Sequence, residues 1–340
     1  MQNEDPTASS RKQDHIELAF ASQTPHADER FYYEPLFTGN HTDIHQLACY
    51  FAGHQMEAPI WISSMTGGTE KAGHINKNLA ALCQEFGLGM GLGSCRSLLT
   101  SDEYLDDFRV RPYMGDQPLY ANLGIAQVEK LLADGNENLI VELVKKLEAN
   151  GLIIHINPLQ EWFQPEGDRY YEAPIVTISR LLERTKLNLI VKEVGHGMGP
   201  ASLQALMQLP IDAIEFAAFG GTNFSKLEML RDKSGEVAQK QALAYVGHTA
   251  VEMVGFVNNI LSRQEVLCRN FIISGGISSY LDGAYLIAEC HGEAIYGQAS
   301  GFLKHAMGTY EALRLYARQQ IEGLAMSRQI LKNKKLATNG

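Results

Sequence analysis

The sequence predicts an α/β fold, specifically a (β/α)₈ TIM barrel, on three observations. Short apolar runs recur along the chain, eight in number. Most of them start roughly 20–36 residues apart, the spacing of βα units. The gaps carry helical periodicity rather than hairpin turns. A doubly wound open sheet is the alternative arrangement of the same units.

The runs, in order, are PIWISSM (59–65), GLGMGLGS (87–94), PLYANLG (118–124), GLIIHIN (151–157), LNLIVKEVG (187–195), IDAIEFAAFGG (211–221), FIISGGI (271–277) and EAIYGQA (293–299). Between them lie helical patterns such as HINKNLAALCQEFG and NLIVELVKKLEANG, the latter ending in a glycine suited to a helix C-cap. One gap is longer. Residues 222–270 separate the sixth and seventh runs, and TNFSKLEMLRDKSGEVAQKQ within them is charged and has no sustained apolar stripe. In a barrel it sits over the C-terminal mouth. It reads either as a lid around 222–245 or as a solvated insertion.

No low-complexity linker or composition break divides the chain, so 11–330 reads as one catalytic barrel domain. Residues 1–10 and 331–340 read as flexible tails, the second of them basic. With 340 residues and 45% hydrophobic content the chain can bury a large core. The net charge of −10 argues against a general nucleic-acid or membrane-surface role. Five cysteines without a CxxC pair argue against a disulfide framework or a zinc site, and for a cytoplasmic setting. No apolar run approaches the ~18 residues of a membrane span, and the polar start MQNEDPTASS has no signal-peptide core.

In a barrel the chemistry gathers at the C-terminal ends of the strands. Those ends here carry Ser63 to Gly68, Gly93 to Arg96, Asn122 to Gly124, His155 to Glu161, Lys192, Gly220 to Thr222, Ser274 to Gly276 and Gly297 to Ser300. Period-two alternation puts Ile190, Lys192 and Val194 on one face. A buried Lys192 needs an anionic partner. Glu193 or Glu215 is one possibility. A flavin ring, negative near N1 and O2 when reduced, suits the place better. The glycines of SGGISS and GQASG each precede a helical pattern, an arrangement suited to cradling a phosphate. In HINPLQE, His155 and Asn157 share a strand face, with Gln160 and Glu161 just beyond. Glu161 is a candidate Mg²⁺ ligand, since that hard cation prefers carboxylate and phosphate oxygens. Arg11, Lys12 and His15, in RKQDH, offer donors to a diphosphate.

These motifs resemble type 2 isopentenyl diphosphate isomerase. The likeness runs from Arg11 to about residue 310, through RKQDH, PIWISSMTGGTE, GLGMGLGSCRS, YANLGIAQ, HINPLQEWFQPEGDR, IVKEVGHGMG, FGGTNFSKLE and ISGGI. The resemblance implies an FMN-dependent barrel that interconverts two C5 diphosphates with reduced flavin as acid and base, Mg²⁺ and NADPH as reductant of the flavin, in a homo-oligomer (tetramer or octamer). It implies that Arg11, Lys12, His15, Ser94, Arg96, Asn157 and Gln160 meet the substrate. Met65, Thr66, Gly67, Ser94, Asn122, Lys192, Thr222, Gly275, Gly276, Ala299 and Ser300 hold FMN. Gln160, His155 and Glu228 act in catalysis, and Glu161 binds the metal. The chain departs from the family at Cys95 (usually Gln), His196, the stretch YVGHTAVEMV, Ser278 and Ser300. An FMN-barrel oxidoreductase of the 2-hydroxyacid oxidase or dihydroorotate dehydrogenase kind is the alternative, and a non-catalytic flavin-binding protein is a third. RKQDH together with HINPLQE argues against the third, because storing FMN needs neither.

Overall fold

Every one of the eight runs becomes a strand. The computed structural model describes residues 8–39, 43–64, 69–232 and 236–334. The barrel strands are β1 (Ile60–Ile62), β2 (Gly89–Gly91), β3 (Leu119–Gly124), β4 (Gly151–His155), β5 (Leu189–Lys192), β6 (Ala213–Glu215), β7 (Asn270–Ser274) and β8 (Glu293–Gln298). They pair in parallel, each with the next, and β8 closes on β1 through Gly297 opposite Trp61. The open-sheet alternative is thereby excluded.

Period two divides the barrel interior into layers. At the N-terminal end, Trp61, Tyr120, Ile153, Ile190, Ala213, Ile272 and Ile295 form an apolar floor with Phe51 and Met56. The last two come from a hairpin, Cys49–Phe51 and His54–Met56, that plugs the bottom. Gly89 makes room for this floor, since a Cβ there would lie 2.3 Å from the Trp61 ring. Two residues further along each strand, alternation returns the same face to the interior. The residues that arrive are Ser63, Gly91, Asn122, His155, Lys192, Glu215, Ser274 and Gly297. An apolar floor thus gives way in one step to a polar layer with two glycine gaps. The outer helices bury their apolar stripes on the other faces of the strands.

Three sequence expectations change. Gly151 is not a helix cap: the preceding helix, Asn138–Lys146, ends at Leu147, and Glu148 takes the positive φ of 50°. Gly151 instead opens β4, where a Cβ would lie 2.4 Å from the Asn188 carbonyl oxygen. At the C-terminus, Leu331–Asn333 is not a loose end but pairs antiparallel with Phe31–Tyr33; residues 335–340 lie outside the described residues. At the other end, the helix Ala8–Leu18 begins within the stretch read as a tail. No described helix is long and apolar enough to cross a membrane.

Candidate active site

The polar layer opens into a cavity at the C-terminal mouth. Its walls include Ser63 and Ser64 just after β1, Lys192, Glu215, Ser274, Gly275, Gly276, Thr222, Ala299 and Ser300. Of the FMN positions expected from sequence, the structure brings Lys192, Thr222, Gly275, Gly276, Ala299 and Ser300 to this one cavity. Asn122 lies in the same interior layer. Ser94 is exposed on the loop after β2. Met65, Thr66 and Gly67 lie outside the described residues.

Lys192 is buried and forms no ion pair among the described residues. Its Nζ donates to the main-chain oxygen of Glu193 at 2.9 Å. Neither acidic neighbour is its partner. The Glu193 carboxylate turns away and accepts from the amides of Gly195, His196 and Gly197. Glu215 stands opposite Lys192 in register, and its Oε1 accepts from the Ser274 hydroxyl at 3.1 Å. Three buried polar atoms of the cavity wall, Ser63 Oγ, Ser64 Oγ and Glu215 Oε2, have no partner among the described residues. Unpaired buried polar groups are costly. Together they mark a wall built for a polar ligand.

The two glycine pairs pack back to back across the mouth. Gly275 has a φ of +87°, and a Cβ there would lie 2.1 Å from the Ala218 carbonyl oxygen. A Cβ on Gly221 would press on Gly276 N at 3.0 Å. The cradle is therefore possible only with glycine. The helix after it, Tyr280–Glu289, is a different matter. Asp282 already accepts from the Ser278 and Ser279 amides and the Ser278 hydroxyl, and Arg30 pairs with Asp282 at 2.7 Å. The chain's own carboxylate fills the helix start that the sequence reading assigned to a phosphate.

The loop after β4 forms the second half of the site. Asn157 precedes the short helix Pro158–Phe163, which carries both Gln160 and Glu161. Asn157 Nδ2 donates to Gln160 Oε1 at 3.1 Å and to Glu161 Oε1 at 3.0 Å. Glu161 Oε2 accepts from the Asp168 amide at 2.7 Å. Glu161 is buried, yet no cation among the described residues neutralises its carboxylate. Arg96 reaches this loop through an ion pair to Asp168. Gln127 joins Asp168 to the amide of Gly124 at the end of β3.

The long insertion reaches the same rim. Its helix Phe224–Arg231 buries Ser225 and Glu228, so this part is not a solvated excursion. Glu228 accepts from Gln164 at 2.7 Å and Gln160 at 3.4 Å, and pairs with Arg231 at 2.5 Å. His196, one of the departures, bridges the Val246 carbonyl at 2.5 Å and the Ser225 hydroxyl at 2.8 Å. Cys95 is fully buried, and burial pushes its thiol up to about 12, so it is not poised as a thiolate.

Arg11, Lys12 and His15 are not brought to the cavity wall. They lie on Ala8–Leu18, a helix whose described side chains are exposed. In the sequence Ser63, Ser64 and Ser274 read only as strand-end residues without a role, and Glu215 only as a possible partner of Lys192; Gln127, Gln164, Asp168 and Arg231 were missed. Alternation gave a signal for Ser63, Glu215 and Ser274, each two residues beyond an apolar floor residue.

No family model matches the chain. An isopentenyl-diphosphate delta-isomerase of Rickettsia felis is 35% identical over 311 residues, covering 89% of this chain and 86% of the relative. The same-named protein of a Nostoc strain is 34% identical over 314 residues, covering 90% and 86%. The chain belongs to the isopentenyl-diphosphate delta-isomerase family. Among solved structures, a mandelate oxidase variant with a monooxide FMN adduct aligns with a TM-score of 0.57 at 14% identity, covering 91% of this chain and 89% of that one. A flavocytochrome b2 variant with benzoylformate gives 0.60 at 14%, covering 88% and 71%. These likenesses establish the barrel fold. The match to these relatives spans about nine-tenths of the chain.

Proposed function

We propose that this chain interconverts isopentenyl diphosphate and dimethylallyl diphosphate with FMN held in the cavity between Lys192 and Ser300. The observation that carries this is the union at one rim of two differently built halves. One is a cavity wall of orphaned polar atoms and a glycine cradle. The other is an amide–carboxylate cluster of Asn157, Gln160, Glu161 and Glu228. An oxidoreductase of the 2-hydroxyacid oxidase kind requires a base beside a hydride donor, and nothing in the second half is specific to that chemistry.

The cavity residues fit a flavin. Lys192 brings positive charge to the wall and forms an ion pair with neither Glu193 nor Glu215, the place for a ring that turns negative on reduction. The serines offer hydroxyls to ring heteroatoms. Reduced FMN, when bound, supplies the acid and base for moving a proton on and off carbon, and NADPH serves as its reductant. Alkene protonation builds positive charge, which the site must stabilise and shield from water. The Gln160 amide, held from both sides, presents a fixed dipole to the C5 chain. His155 is neutral, so it adds no charge that would oppose a developing cation. The helix Phe224–Arg231 acts as the lid that excludes water.

Glu161 fits Mg²⁺. A single carboxylate together with phosphate oxygens is a usual magnesium environment. The described residues contain no cluster of three or more His, Cys, Asp or Glu that would hold a metal alone, so the metal would arrive with the diphosphate. Ser94, Arg96, Arg11, Lys12 and His15 would take the remaining phosphate charge. Phe20, Leu36 and Phe37 are more than 80% exposed, which supports assembly of copies through the N-terminal segment.

The test is turnover by purified protein with FMN and Mg²⁺. Isopentenyl diphosphate should be converted only after the flavin is reduced. Conversion at equal rate with oxidised flavin, or none under any condition, would end this reading.

A further inference from the structure

Glu215 is the buried acid of the cavity wall that no predicted role uses. It sits at the C-terminal end of β6, fully buried, between Lys192 on β5 and Ser274 on β7. Its two oxygens have separate fates. Oε1 accepts from the Ser274 hydroxyl, whose oxygen in turn accepts from the Ala217 amide at 3.0 Å. That chain fixes the carboxylate in place. Glu215 lines the cavity, and its Oε2 is buried with no partner among the described residues. The obvious structural partner, Lys192, donates to the Glu193 carbonyl instead. A carboxylate anchored by one oxygen and left unpaired at the other is an acceptor awaiting a donor.

The place along the cavity says which donor. Around the barrel, Lys192 on β5 marks the ring end. In the flavin reading, the Gly275–Gly276 cradle after β7 and Ala299–Ser300 after β8, which line the same cavity, would take the phosphate. Glu215 lies between them. The part of a flavin nucleotide that spans ring and phosphate is the ribityl chain, whose hydroxyls are donors. We propose that Glu215 is a cofactor-binding residue whose Oε2 accepts a hydrogen bond from a ribityl hydroxyl of the bound flavin. This rests on the reading that flavin occupies the cavity. A hydroxyl bonded to a buried carboxylate is charge-assisted and stronger than a neutral pair.

Flavins that differ only along this chain provide the test. Apo-protein is titrated with FMN, riboflavin and lumiflavin, which has the ring but no ribityl hydroxyls, and binding is read from flavin fluorescence. Glu215→Gln keeps the shape and an oxygen for Ser274 but turns the open acceptor into a donor. Its Kd for FMN and riboflavin should rise roughly 10- to 100-fold, the scale of one charged hydrogen bond, with lumiflavin unchanged. Glu215→Asp, which keeps the charge but draws it back by one methylene, should lose the same two ligands, and it carries the test should the glutamine variant not fold. Wild-type affinity for FMN in both variants would overturn the proposal, as would an equal loss of lumiflavin, which would place Glu215 at the ring. Failure of wild-type protein to bind any of the three flavins would instead remove the flavin reading itself.

Discussion

His155 Nδ1 lies 2.7 Å from Asn122 Oδ1, and this contact fixes which ring nitrogen carries the proton. Asn122 Nδ2 donates to the Leu92 carbonyl at 2.9 Å, so its oxygen faces the ring and must accept. The imidazole is therefore the Nδ1–H tautomer, and Nε2 presents a lone pair. Burial, and then the Lys192 charge, hold the ring from its ordinary 6.5 down to about 3. His155 is thus neutral at physiological pH in the unliganded protein.

A stability prediction follows with a definite sign. The folded value lies below the unfolded one, so the folded state resists protonation. The resulting stability is full above pH 6.5 and is lost as pH falls towards 3. His155→Gln, whose amide can still donate to Asn122, removes this dependence. Urea melts between pH 7 and 4.5 should give a wild-type curve steeper than the variant's by up to about 1.4 kcal/mol per pH unit. Parallel curves would mean that His155 titrates as an ordinary histidine.

Glu161→Gln should retain flavin and lose Mg²⁺-dependent activity. The substitution keeps an oxygen for Asn157 but removes a buried charge that no cation among the described residues neutralises. The Mg²⁺ concentration for half-maximal rate should rise roughly tenfold or more, the scale of one lost charged contact. An unchanged magnesium titration would remove Glu161 from the metal site.

How much of this was legible in the sequence depends on the range of the interaction. Lys192 was, because alternation inside LIVKEVG places it inward without knowledge of any other strand. So was HINPLQE, whose polar residues meet within one turn of chain. Glu215 was visible only as a possible partner for Lys192. Its actual bond to Ser274 depends on the β6–β7 register, which no local pattern encodes. The Leu331–Asn333 pairing was hidden for the same reason, its partner lying at the other end of the chain. Asp282 was missed because SGGISS satisfies the phosphate pattern and the capping pattern equally. Only the folded chain shows that the cap has won. The helix Ala8–Leu18 leaves its described face exposed, so periodicity had no packing to report.

Arg11→Ala and Lys12→Ala should raise KM for the C5 diphosphate by about ten- to hundredfold, since a charge-assisted bond is worth roughly 1.5–3 kcal/mol. Their helix is exposed, so folding stability should stay within about 0.5 kcal/mol of wild type. Steady-state kinetics beside a thermal melt separates the two. A fall in kcat at constant KM would contradict a role at the remote diphosphate.

The last prediction concerns Gln160. Its amide is fixed by Asn157 on one side and Glu228 on the other, and its carboxamide stands on the rim rather than in the flavin cavity wall. Gln160→Ala should leave Glu228 anchored by Gln164 and Arg231, so the rim survives the change. Flavin content and the rate of flavin reduction by NADPH should match wild type, while isomerisation slows roughly 100-fold, the lower scale of a positioned catalytic group. In deuterated water, wild-type product should gain solvent deuterium, and one reduction of the flavin without oxygen should sustain many turnovers, because substrate and product share an oxidation state. An oxidoreductase would instead consume one NADPH per product or stop after one flavin equivalent. Equal slowing of flavin reduction and isomerisation in Gln160→Ala would move this residue from the alkene to the cofactor. Stoichiometric NADPH loss during wild-type turnover would overturn the isomerase assignment outright.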